Sequence, residues 1–137
     1  MNTKLVMSAA AFLLAVMGIG FSFFSAEIVA FTGITISETS ELVFQLLGAL
    51  YFGFAMLNWM AKGSTIGGIY NRPVAIANFA HFFIGGMALL KAVINNPGHA
   101  VFLWILAVAY ALFAFLFGYL LFFYTPVAAK KLSNTSA

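Results

Sequence analysis

Four long apolar runs, parted by three polar interruptions, set the plan of the chain. The first extends from Leu5 to Phe31, the second over about 41–61, the third over about 73–94 and the fourth over about 100–124. A helix crosses the hydrocarbon core of a bilayer in about twenty residues, so each run is long enough to span it once. The interruptions carry helix start and stop signals. Thr32 to Ser40, TGITISETS, is rich in hydroxyls and has no Lys or Arg. In it Ser37 is placed to cap the second helix, with Glu38 and Glu41 in or near the first turn, where unpaired backbone N–H groups favour carboxylates. Lys62 to Arg72, KGSTIGGIYNR, turns on its glycines, and Pro73 behind it suits the first turn of a helix because its missing N–H would be unpaired there anyway. Asn95-Asn96-Pro97-Gly98 places proline and glycine as a type II turn requires. The expected fold is all-α: one transmembrane domain over 1–137, an integral membrane antiparallel four-helix bundle, with a mobile polar tail at 125–137.

The helical period assigns faces to these runs. Ala11, Ala15, Gly18, Ser22 and Ser25 form a stripe of small residues on the first helix, where another helix can approach closely. Phe44, Gly48, Tyr51, Ala55 and Asn58 share a face of the second. Val74, Ala77, His81, Gly85 and Ala88 share a face of the third, with Asn78 at its border, and Ala107, Ala111, Ala114 and Gly118 line the fourth.

Composition agrees with the pattern and removes whole classes of function. Of 137 residues 64% are hydrophobic and 7% charged, and the mean hydropathy of +1.08 lies outside the range of soluble domains. The net charge of +3 is spread singly among apolar runs, which reads as a topology signal rather than a nucleic-acid surface. Lys4, Lys62, Arg72, Lys130 and Lys131 fall on one side of a four-span topology and Lys91 alone on the other, which predicts that both termini are cytoplasmic. Trp59, Tyr70 and Tyr124 then fall at the inner interface and Trp104 at the outer one. The first run exceeds the apolar region of a signal peptide and is read as a retained anchor, although Ser25 and Ala26 keep cleavage open. No cysteine is present, which excludes disulfides, thiolate metal sites and cysteine nucleophiles.

Three constellations remain. At 1.5 Å per residue, Asn58 and Asn78 lie roughly 4 to 8 Å inside the cytoplasmic ends of their helices, and Tyr51 and His81 roughly 12 to 15 Å inside. These two tiers serve either as interhelical hydrogen bonds, each contributing on the order of 1 kcal/mol, or, through His81 as the titratable group near midplane, as a ligand or proton-relay site. On the outer side Glu27, Glu41 and Lys91 are candidates for an ion pair or for the rim of an entrance. On the inner side Arg72 and Lys62 flank the glycine turn as candidates for an anionic headgroup, the alternative being an ordinary basic turn. That turn lacks the spacing of a nucleotide-binding loop. His81 and His99 lie at different depths, and no carboxylate has metal-ligand spacing to either, so neither a metal nor a cofactor is expected. No hydrolase pattern occurs, and no catalytic residue is assigned.

The acidic loop followed by QLLGALYFGFAMLNW, the basic turn with GGIYNRP and the segment NFAHFFIGGMALL resemble small bacterial four-helix inner-membrane proteins of the DoxX-like kind, over about a third of the chain. The resemblance implies the bundle and a bacterial inner-membrane location, and carries no activity. The expected function is a non-catalytic accessory subunit or a binder of lipid or another hydrophobic ligand. Membrane lipids are the expected partners, with a homodimer or larger membrane complex possible. The alternatives are a small dimeric transporter using His81 and Tyr51, and a membrane enzyme acting on a lipid-soluble substrate.

Overall fold

Every apolar run becomes helix, but the first does not stay straight. The computed structural model describes residues 2–32, 37–64, 71–95 and 101–123. Among the described residues there are five helices and no strand: α1 (Thr3–Phe23), α2 (Ser25–Thr32), α3 (Glu38–Ala61), α4 (Arg72–Asn95) and α5 (Val101–Phe122). Four of them, α1, α3, α4 and α5, are long and apolar enough to cross a membrane. The turn at 96–99 with His99, residues 65–70 of the basic turn with Tyr70, and the tail with Tyr124, Lys130 and Lys131 lie outside the described residues.

The single helix expected over Leu5 to Phe31 is corrected to two helices with a bend at Phe24. The backbone ladder continues across the bend, with the Phe24 N–H donating to the Gly20 carbonyl at 2.8 Å and the Ile28 N–H to the Phe24 carbonyl at 3.0 Å. A straight helix would set Gly20 and Ile28 about 12 Å apart along its axis. Instead the Ile28 Cδ1 methyl lies 3.3 Å from where a Cβ on Gly20 would be, so α2 folds back toward α1 over a position that has no side chain. Glycine and serine near the bend, Gly20, Ser22 and Ser25, are residues that permit such kinks. The second helix starts at Glu38, three residues before the expected 41, because Ser37 caps it: its backbone is extended (φ −91°, ψ 156°) and its Oγ accepts from the Ser40 N–H at 3.3 Å.

The chain divides into two compact units, Lys4–Lys62 and Gly63–Ala137, the latter with Met1–Thr3. In the first unit α1 and α3 run antiparallel and touch backbone to backbone. A Cβ on Gly18 would lie 2.7 Å from the Phe52 nitrogen, and one on Gly48 would lie 2.6 Å from the Ser22 nitrogen and 2.8 Å from the Gly18 carbonyl oxygen. Such an approach exists only where side chains are missing, which is the packing used where lipid rather than water is the solvent. Phe21 stacks on Tyr51 (5.7 Å between centroids, 27°) and tilts against Phe44 at 5.7 Å, closing one side of the crossing. The buried residues of α3 are Gly48, Ala55 and Asn58, members of the face the period assigns.

In the second unit α4 and α5 also run antiparallel, packed through aromatic rings. Phe82, fully buried, lies 4.9 Å from Phe113, 5.8 Å from Phe117 and 5.2 Å from Tyr110, centroid to centroid. These contacts rotate α4. Its buried residues are Ala75, Asn78, Phe82, Gly86 and Val93, the first four each one residue on from the expected Val74, Ala77, His81 and Gly85, and the expected Ala88 is exposed. The reason is volume. Burying Phe82 among three rings removes more surface from contact with solvent than burying the small residues beside His81, and stacked pairs add about 0.5–1.5 kcal/mol each.

Candidate hydrophobic-ligand site

On α5 the small residues Ala111, Ala114 and Gly118 recur at helical spacing, and Gly86 faces them from α4. Where these lack bulk, the rings and chains around them stand higher. The result is an open groove of about 620 Å³ whose walls include Phe79, Phe83, Met87, Leu90, Phe115 and Phe122. Its floor is held by Gly118, where a Cβ would meet the Phe79 ring at 3.1 Å, and by the buried Phe82 and Ala114. From Ala111 to Phe122 α5 rises about 16 Å, about half of a 30 Å hydrocarbon core. The lining is apolar apart from the Tyr119 hydroxyl, so the groove offers dispersion and apolar burial to a ligand.

The same two helices bring His81 and Tyr110 together. His81 Nε2 and Tyr110 Oη form a hydrogen bond of 3.3 Å, with the tautomer of His81 setting which atom donates. The rings lie 5.6 Å apart at 47°. Tyr110 is 1% exposed, and Gly85 makes this possible: a Cβ there would be 2.8 Å from Cε1 of the tyrosine ring. Phe82 lines the groove and packs edge-on against Tyr110, 5.2 Å between centroids.

Tyr110 is the residue that sequence reasoning missed. The companion expected for His81 is Tyr51, which within its own α1–α3 unit stacks on Phe21. A signal for Tyr110 was present. It is one of two hydroxyl-bearing residues in α5, and a polar group inside an apolar span needs a hydrogen-bond partner. The asparagines are both buried, and each donates Nδ2 to the carbonyl one turn back on its own helix: Asn58 to Phe54 at 2.9 Å and Asn78 to Val74 at 2.8 Å.

Both units carry charged candidates. Glu27 is exposed in the first turn of α2, and Glu41, half-buried in α3, accepts from Gln45 Nε2 at 3.5 Å; both belong to the first unit. Lys91 is exposed on α4 of the other. Arg72 opens α4 and is exposed, whereas Lys62 caps the C-terminal end of α3 and reaches over the Trp59 ring, its Nζ 2.7 Å from the centroid. Loss of hydration against its surroundings, and then repulsion from Lys4, hold the Lys62 ammonium below the usual lysine pKa. The base that acts on Lys62 within its unit is therefore Lys4, which the sequence left among the topology charges. Among the described residues no group of three His, Cys, Asp or Glu could hold a metal ion. Compared with models of known families, with curated proteins and with solved structures, the chain matches none.

Proposed function

We propose that this chain is a multi-pass integral membrane protein, non-catalytic, that holds a hydrophobic chain of one lipid leaflet in the groove between α4 and α5. The groove carries the reading. It is apolar along its walls, open on its side, and as long as half a bilayer core is thick, which suits an acyl or isoprenoid chain and offers no polar set that would orient a reacting group. Membrane placement is supported by an inverted surface: α3 buries glycine, alanine and asparagine while Leu46, Leu50, Phe52, Leu57 and Met60 are exposed. The DoxX-like resemblance and the distribution of bases favour a bacterial inner membrane with both termini cytoplasmic.

The test is retention of a lipid. Wild-type protein purified in mild detergent and examined by native mass spectrometry keeps at least one hydrophobic ligand, and Ala111→Trp, at an exposed position on the groove floor, loses it while keeping its helical signal. Equal retention by the two proteins removes the proposal.

The His81–Tyr110 bond favours a second reading, a small transporter in which this pair relays a proton. That reading requires His81→Ala to abolish pH-dependent flux in liposomes in a folded protein, and unchanged flux ends it.

A further inference from the structure

Within the α1–α3 unit the crossing glycines act as a ruler. Gly18 and Gly48 meet, and Lys4 and Lys62 each lie about 21 Å from them along their own helices. The helices are antiparallel, so the two bases lie at the same end and nearly level. At that end Trp59 lies beneath the Lys62 ammonium. The three acidic side chains of the sequence, Glu27, Glu38 and Glu41, belong to the opposite end of this unit, in the first turns of α2 and α3. Two positive charges thus share one end of the unit, and among the described residues its acidic side chains lie at the other end.

We propose that Lys4 and Lys62, with Trp59 as their platform, form a receptor for a phosphate-bearing anion, a lipid headgroup or free phosphate. An anion between the bases turns their repulsion into two charge-assisted contacts. Loss of hydration, and after it repulsion from Lys4, lower the Lys62 pKa, and an anion between the bases would offset the second of these. The tryptophan adds two features. Its ring face attracts the ammonium and keeps the long side chain raised at the helix end rather than free in solvent, and indole is favoured at the headgroup level of a bilayer, where phosphates lie. The site stands on the α1–α3 unit alone and is independent of the groove reading.

The test uses Trp59 as its own reporter, in the full chain carrying Trp104→Phe, which removes the other tryptophan. The protein in neutral detergent is titrated with short-chain phosphatidylglycerol, with phosphatidylcholine of the same chain length and with inorganic phosphate, and Trp59 fluorescence is followed. Phosphatidylglycerol gives a saturable change and phosphatidylcholine none. Lys4→Gln and Lys62→Gln each weaken the response roughly fivefold, while Lys62→Arg keeps it. A matching response to inorganic phosphate identifies free phosphate as the ligand, and a response to phosphatidylglycerol alone identifies the headgroup. Should a glutamine variant lose its helical signal, ionic strength decides: at about 1 M salt, where the screening length falls to about 3 Å, wild-type binding is lost. Saturation by neither anion, equal response to phosphatidylcholine, or full affinity in the folded double glutamine variant overturns the proposal.

Discussion

Gly85 and Tyr110 are matched as a missing side chain and a large one. A methyl at Gly85 would press on a ring edge that is 1% exposed and has Phe82 on another side, so the ring cannot swing away freely. Gly85→Ala is therefore expected to destabilise by about 1–3 kcal/mol through overpacking. Tyr110→Phe keeps the ring and removes the hydroxyl that bonds His81, with an expected cost of about 0.5–1.5 kcal/mol. Thermal unfolding in detergent ranks the two, and a larger loss for Tyr110→Phe would show that the hydrogen bond matters more than the fit. At this scale the sequence singled out His81 correctly as a residue needing a partner, because an imidazole inside an apolar run must hydrogen-bond. It did not point to Tyr110, because that contact depends on the rotation of α4, and Phe82 decides that rotation.

Between elements, the α1–α3 crossing separates two kinds of helical glycine. Gly48→Ala would place a methyl within 3 Å of backbone atoms of α1, which cannot move as a side-chain end can. Its expected cost lies toward the upper part of the overpacking range, about 3 kcal/mol. Gly53, on the same helix, has nothing within 4 Å of an added Cβ, and Gly53→Ala should be neutral or stabilising by about 0.5–1 kcal/mol, because alanine has less backbone freedom to lose in a helix. Melting both variants checks the crossing, and equal destabilisation would refute it. The small stripe of the first helix, with Gly18, Ser22 and Ser25, was readable from period alone. The bend at Phe24 was not, since glycine and serine permit a kink without requiring one, and the fold-back of Ile28 over Gly20 is a packing contact.

For the whole molecule the absence of cysteine supplies a clean assay of topology. Ser64 and Ser37 are both exposed, one just beyond α3 and the other just before it. In intact cells a membrane-impermeant maleimide should label Ser37→Cys and spare Ser64→Cys until the membrane is permeabilised, as the distribution of bases requires. The reverse pattern would invert the topology, and labelling of both would argue against α3 as a span. The sequence by itself determined that the chain is helical, that four segments are long and apolar enough to cross a bilayer, where those segments start and stop to within a few residues, and that His81, Asn58 and Asn78 need hydrogen-bond partners. These follow from local patterns: hydropathy over about twenty residues, caps, glycine and proline. Only the tertiary structure decided which ring faces His81, that Lys62 shares its end of a helix pair with Lys4, and that small residues on α4 and α5 leave a groove instead of closing on each other. Each of these depends on the rotation and register of one helix against another, and that is set by side-chain volumes far apart in the chain.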